Sequence, residues 1–127
     1  MADTMPQTSV LIVDDVKDIR DLIALFLEDL EVEIVGEAID GHQALDLMDS
    51  LQPDIVFLDI NMPGVTGLEI LDKIKDNNSI FPVIVSGDGD FETIKTSLDK
   101  GAQGFIAKPI DESKIIQIID KYKITKC

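Results

Sequence analysis

The chain has 127 residues, of which 45% are hydrophobic, and a formal net charge of −14, which predicts one globular domain. No apolar stretch reaches the ~18 residues of a membrane helix, and the amino-terminal residues lack the basic and apolar regions of a secretory signal, so we expect a cytoplasmic protein without membrane contact. The acidic balance disfavours direct binding to nucleic acid, and the one cysteine, Cys127, excludes a disulfide framework within the chain.

The first predicted strand, residues 10–13, is continuously apolar and ends at Asp14 and Asp15. A helix follows, because apolar residues recur at helical spacing on one face, at Ile19, Leu22, Ile23, Phe26, Leu27 and Leu30. Residues 31–34 then alternate glutamate with an apolar residue, which is typical of a half-exposed strand. We therefore predict that the second strand lies at an edge of the sheet.

The third strand, residues 55–58, is apolar throughout and ends at Asp59, and a turn sequence follows at residues 61–64. Helical spacing before and after this strand predicts two more helices, with faces formed by Ala44, Leu47, Met48 and Leu51 and by Leu68, Leu71 and Ile74. His42, the only histidine, is predicted to lie exposed at a helix start. Turns or caps are predicted at Gly36, Gly41 and Gly64.

The fourth strand ends at Ser86, and the fifth ends at Lys108 and Pro109. Between them, residues 91–100 form the weakest predicted helix, because its apolar face has only three members, Phe91, Ile94 and Leu98. Such a helix buries little surface, so we expect it to have low local stability. The last helix presents an apolar face of Ile115, Ile118, Ile119 and Tyr122.

Strand and helix thus alternate about five times, which predicts an α/β fold: a parallel five-stranded sheet covered by helices on both faces. An edge position for the second strand fits the doubly wound (βα)5 order 2-1-3-4-5, with right-handed crossovers. We divide the chain into a flexible amino-terminal segment (residues 1–8), one domain (9–123) and a carboxyl-terminal tail (124–127).

The strand ends carry the chemistry of this chain. Neighbouring strands lie ~4.8 Å apart, so Asp14 and Asp15 should face Asp59 across a few ångströms. Three carboxylates that close require either one protonated carboxyl with a raised pKa or a cation. Carboxylate oxygens are typical ligands of Mg²⁺, which usually also binds phosphate oxygens of a substrate. The three carboxylates therefore predict a site for Mg²⁺ and a phosphoryl group. Ser86 and Lys108 would hold phosphoryl oxygens, and Asp59 is the candidate nucleophile.

Other functions with a similar fold fit less well. An electron carrier would need a phosphate-binding loop for its flavin where Asp14 and Asp15 stand. A phosphohydrolase with an aspartyl nucleophile would need a second carboxylate two residues after Asp59, where the chain has the amide Asn61. A P-loop nucleoside triphosphatase is excluded because its motif G-x-x-x-x-G-K-[ST] is absent.

These residues resemble the receiver domains of two-component response regulators. The resemblance extends roughly from Val10 to Tyr122, and it rests on Asp14-Asp15, Asp59, Asn61-Met62-Pro63-Gly64, Gly67, Ser86, Gly101-Ala102 and Lys108-Pro109. It implies a flavodoxin-like fold and a phosphorelay signalling domain that is not an enzyme, although it assists its own phosphorylation and dephosphorylation. A histidine kinase or phosphotransfer protein would form 4-aspartylphosphate at Asp59.

The resemblance also implies residue roles. Mg²⁺, for which Mn²⁺ can substitute, would be held by Asp14, Asp15, Asp59 and the main-chain carbonyl of Asn61. Ser86 and Lys108 would bind the phosphoryl group, Asn61 and Asp88 would tune dephosphorylation, and Pro109 would follow a cis peptide bond.

For signalling, the resemblance implies that Phe105, which replaces the family's common tyrosine, swings inward. The face formed by the fourth helix, fifth strand and fifth helix would then change shape for a protein partner. The expected state is a monomer or a weak, phosphorylation-dependent dimer. An interaction module with this fold that works without phosphorylation remains the alternative.

Overall fold

The protein was analysed as a computed structural model, which describes residues 7–87 and 89–126. In these residues five parallel strands alternate with five helices. The elements in chain order are β1 (Thr8–Val13), α1 (Lys17–Leu27), β2 (Val32–Ala38), α2 (Gly41–Leu51), β3 (Ile55–Asp59), α3 (Gly67–Ile74), β4 (Phe81–Ser86), α4 (Phe91–Asp99), β5 (Gly104–Ala107) and α5 (Glu112–Lys126). The strand order β2-β1-β3-β4-β5 confirms the predicted topology.

Helices cover both faces of the sheet, as predicted, and each face has its own hydrophobic cluster. Alternate residues of β1 point to opposite sides: Val10 and Ile12 pack with residues of α1 and α5, whereas Leu11 packs with residues of α2 and α3. Strand β3 lies in the centre of the sheet, and all five of its residues are buried. The apolar runs of β1 and β3 therefore reflect burial on two faces.

Strand β2 lies at the edge, and its Glu33 and Glu37 are exposed. Its register against β1 shifts where Val10 pairs with Ile34 and Leu11 pairs with Gly36, which leaves one residue of β2 unpaired as a bulge. The prediction that Gly36 occupies a turn or cap is therefore wrong, because this glycine lies inside the strand.

Helix α4 is the least buried helix of the described chain. Asp90 caps its first turn by accepting a hydrogen bond from the Thr93 N–H at 2.7 Å. Of its nine residues only Ser97 is buried, which confirms that this helix buries little surface. The predicted apolar face is wrong in part, because Phe91 is 80% exposed and Leu98 is 48% exposed.

Helix α5 buries the four predicted residues, Ile115, Ile118, Ile119 and Tyr122. It continues to Lys126, so residues 124–126 are helical and do not form the predicted tail. Cys127 and residues 1–6 of the predicted flexible segment lie outside the described residues. No helix in the described ranges combines the length and apolarity needed to cross a membrane.

Candidate functional site

The predicted acidic group forms where β1 and β3 end. These strands are neighbours, and Val13 pairs with Leu58, so Asp14 follows β1 beside Asp59 at the end of β3. Asp14 is 1% exposed and Asp59 is 3% exposed, whereas Asp15 is exposed. One carboxylate oxygen from each of the three residues lies within 4.8 Å of the others. We call Asp14, Asp15 and Asp59 the acidic trio.

Three polar groups of Asp14 form hydrogen bonds, but one of its carboxylate oxygens accepts none from the residues that the structure describes. Its N–H donates to the Ala38 carbonyl at 3.1 Å, and its Oδ1 accepts from the Val16 N–H at 2.8 Å. Its buried Oδ2 lies 3.4 Å from the Lys108 Nζ but accepts no hydrogen bond from that group or from any other in the described residues. A buried carboxylate oxygen without a hydrogen bond destabilises the folded state. A hard divalent cation would satisfy it, so the residues present fit a Mg²⁺ site.

Asp59 is buried next to two other carboxylates, those of Asp14 and Asp15. Its Oδ1 accepts a hydrogen bond from the Asn61 N–H at 3.3 Å and lies 3.6 Å from the Lys108 Nζ. Burial, followed by the negative charge of Asp14, raises the pKa of Asp59 from 3.8 to about 6. Lys108 and the Asn61 hydrogen bond lower that pKa but do not outweigh burial. One of the two outcomes predicted for crowded carboxylates, a raised pKa, is therefore found at Asp59.

The raised pKa of Asp59 predicts how stability depends on pH when a chelator removes divalent cations. At a pH well below 3.8 the carboxyl is protonated in both the folded and the unfolded chain. As the pH rises to about 6, the unfolded chain releases this proton first, so the free energy of unfolding falls, by at most about 3 kcal/mol. Urea denaturation across this range should show the fall, and Asp59→Asn should lack it. Parallel pH profiles for the two proteins would contradict the prediction.

Ser86 and Lys108 approach the acidic trio from β4 and β5. Ser86 is completely buried at the end of β4, where it pairs with Ala107. The Lys108 N–H donates to the Ser86 carbonyl at 2.8 Å, which joins the two strand ends. The Lys108–Pro109 peptide bond is cis. The structure thus brings Lys108 into contact with two members of the trio, Asp14 and Asp59.

The remaining predicted residues lie at the rim of the site or away from it. Asn61 lies two residues after the end of β3 and is exposed. Phe105 is half-buried on β5, and with Ile94 of α4 and Lys114 of α5 it lines a surface groove of about 480 Å³. Asp88 lies outside the described residues. His42 is exposed in the first turn of α2, as predicted.

Gly67 contributes a contact that its place in a sequence motif does not reveal. It begins α3 after Thr66, which forms a capping box with Glu69, and its N–H donates to the Ile60 carbonyl at 3.0 Å. A Cβ atom on Gly67 would lie 2.4 Å from the Asp59 carbonyl oxygen. The start of α3 therefore packs directly against the backbone that carries Asp59.

Arg20 was not predicted to belong to the site. Its Nη1 donates to the carbonyl oxygen of Asp14 at 2.8 Å, and its Nε donates to Glu37 Oε1 at 2.9 Å. The one available signal in the sequence is that Arg20 is the only arginine, the other ten basic residues being lysine.

The sequence of this chain is similar to those of known response regulators. The family model for the response regulator receiver domain matches residues 10–120. The chain is 36% identical over 113 residues to the chemotaxis protein CheY of Listeria monocytogenes. This alignment covers 88% of this chain and 95% of that CheY. It is 32% identical over 121 residues to the nitrate/nitrite response regulator NarL of Escherichia coli, covering 94% of this chain and 56% of NarL. The chain thus spans only about half the length of NarL.

The fold is also similar to solved structures. In the CheX–CheY–BeF3–Mg²⁺ complex from Borrelia burgdorferi, the matched chain superimposes with a TM-score of 0.87 at 30% sequence identity. The match covers 94% of this chain and 91% of that one.

Proposed function

Because the chain belongs to the response regulator receiver domain family of two-component signalling proteins, we propose that Asp59 accepts a phosphoryl group and that a protein partner reads the resulting change. One observation carries this proposal. Two buried carboxylates, Asp14 and Asp59, lie beside the exposed Asp15 and the Lys108 ammonium at one edge of the sheet, and within residues 7–87 and 89–126 nothing donates a hydrogen bond to Asp14 Oδ2.

In the proposed reaction, a carboxylate oxygen of Asp59 attacks the phosphorus atom of a phosphohistidine on a kinase or phosphotransfer protein. The P–O bond forms as the P–N bond breaks, and the electron pair remains on the donor imidazole, which takes up a proton. Lys108, 3.6 Å from Asp59 Oδ1, is placed to pair with a phosphoryl oxygen, and Ser86 is the candidate hydroxyl donor to another. Phosphoryl transfer depends mainly on such positioning and charge stabilisation.

The acidic trio would hold Mg²⁺, with the main-chain carbonyl of Asn61 as a further ligand. When bound, Mg²⁺ supplies positive charge that offsets the repulsion between the carboxylates and the phosphoryl oxygens. The Borrelia CheY of similar sequence was solved with Mg²⁺, BeF3 and CheX, which supports both the metal and a protein partner for this chain. We further propose that it signals in the cytoplasm as a monomer or a weak, phosphorylation-dependent dimer, through the face formed by α4, β5 and α5.

The direct test is to incubate the chain with Mg²⁺ and acetyl phosphate and to measure the intact mass. We expect the mass to rise by one phosphoryl group, and we expect no rise when EDTA replaces the metal. A folded chain whose mass does not change with Mg²⁺ present would contradict the proposal, and would favour an interaction module that works without phosphorylation.

A second prediction concerns the transmission of the signal to Phe105. We expect beryllofluoride with Mg²⁺ to shift amide resonances near Asp59 and also those of Phe105, Ile94 and Lys114, because Ser86 would move toward the phosphoryl mimic and open space for the ring. In Ser86→Ala the shifts near Asp59 should remain, and the distant shifts should be lost. Shifts confined to the neighbours of Asp59 in the unmodified chain would contradict this coupling.

A further inference from the structure

Arg20 connects the acidic trio to the edge strand of the sheet. Its side chain is only 12% exposed although it lies on the surface helix α1. The guanidinium donates to the Asp14 carbonyl oxygen at 2.8 Å and to Glu37 Oε1 of β2 at 2.9 Å. Both contacts use one rigid, planar group, and the single ammonium of a lysine does not reproduce such a fork.

The carbonyl that Arg20 binds belongs to the peptide unit between Asp14 and Asp15. On the other side of Asp14, its N–H donates to Ala38. The Val16 N–H donates to Asp14 Oδ1 at 2.8 Å, which closes the turn into α1. With the Arg20 contact, three of the four polar groups of Asp14 are held, and the fourth, Oδ2, is the one that faces Lys108. The Arg20 hydrogen bond therefore restrains the orientation of the peptide unit that joins Asp14 to Asp15.

We propose that Arg20, held in place by Glu37, is a positioning residue that sets the affinity of the acidic trio for a divalent cation. The proposal rests on the function proposed above, since it concerns the same metal site. Partners that orient metal ligands without touching the metal commonly change metal affinity by about 10–100-fold.

Charge and geometry make opposite predictions for Arg20. Its positive charge, taken alone, opposes the binding of a cation, so removing only that charge would strengthen binding. Its hydrogen bond orients the ligands, so removing the bond would weaken binding. The sign of the change in affinity therefore separates the two effects.

The experiment measures Mg²⁺ and Mn²⁺ dissociation constants of the full chain by isothermal titration calorimetry. Arg20→Met should bind each ion about tenfold more weakly, and Arg20→Lys, which keeps the charge but not the fork, should also bind more weakly. Lys17→Met is the matched control, because it removes one positive charge from the same helix at a 75% exposed position paired only with Asp21 among the described residues. The control should bind as tightly as the unmodified chain or more tightly.

Three further variants test the role of Glu37. Glu37→Gln keeps an acceptor for Arg20 and should preserve most of the affinity, whereas Glu37→Ala should weaken binding. The double variant Arg20→Met with Glu37→Ala should be no weaker than Arg20→Met alone, because both changes break the same arrangement. If Arg20→Met does not fold, the comparison of Glu37→Ala with Glu37→Gln decides, because both variants remove the same negative charge and only Glu37→Gln keeps the acceptor for Arg20. Weaker binding by Glu37→Ala than by Glu37→Gln supports the proposal, and equal binding by the two overturns it.

The outcomes distinguish this proposal from the one it rests on. If the unmodified chain binds Mg²⁺ and is phosphorylated while Arg20→Met binds the ion equally well or more tightly, the positioning role is overturned and the proposed function stands. If Arg20→Met lowers only the free energy of unfolding, Arg20 is structural and the positioning role is again overturned. If the unmodified chain binds no divalent cation, both proposals fail.

Discussion

Replacing Asp59 by asparagine is expected to abolish phosphorylation of the chain by acetyl phosphate and Mg²⁺. The amide has nearly the same shape as the carboxyl but is a far weaker nucleophile, so no acyl phosphate should form. The variant should also remain folded, because it removes a buried charge that lies beside Asp14. Intact mass measures the loss, and circular dichroism confirms the fold.

The matched control for this change is Asp46→Asn, which makes the same substitution at an exposed position of α2. It should be phosphorylated to the same extent as the unmodified chain. If Asp59→Asn still gained one phosphoryl group, another carboxylate would be the acceptor, and the assignment of Asp59 would be wrong.

Gly67→Ala is expected to destabilise the protein and to impair the site together. The added Cβ would lie 2.4 Å from the Asp59 carbonyl oxygen and 2.9 Å from the Ile60 Cα. Both are backbone atoms, so the end of β3 or the start of α3 must move. Overpacking of this kind typically costs about 1–3 kcal/mol. Urea denaturation should show a loss of that size, and the rate of phosphorylation should fall because Asp59 moves with its backbone.

Gly87→Ala is the control for Gly67→Ala. A Cβ on Gly87 meets no described atom within 4 Å, so alanine should be accommodated there without loss of stability. The comparison tests the close approach of α3 to β3 rather than glycine replacement in general. Equal stabilities for the Gly67 and Gly87 variants would show that the approach at Gly67 can relax freely, contrary to this prediction.

The topology and the position of the trio could be predicted from short stretches of sequence. Residues 10–13 and 55–58 are apolar on both faces, which requires central strands, and the alternation at residues 31–34 indicates an edge. In a parallel sheet the carboxyl ends of the strands lie at one edge. The meeting of Asp14 with Asp59 follows from these facts alone.

Other features depend on how the helices pack. The apolar spacing of α4 correctly predicts a helix, but it does not predict that Phe91 lies 80% exposed. Gly36 looks like a turn residue because glycine favours turns, yet its position inside β2, next to the bulge, depends on the register between β2 and β1.

The sequence by itself therefore determined the order of the strands and the chemical groups at their ends. Both depend on short stretches of sequence, namely the spacing of apolar residues within each strand and the residues that follow it. Only the tertiary structure decided that Arg20 reaches both Asp14 and Glu37 and that Gly67 packs against the Asp59 backbone. Contacts of this kind join residues from different elements, and differences of less than an ångström in packing decide whether they form.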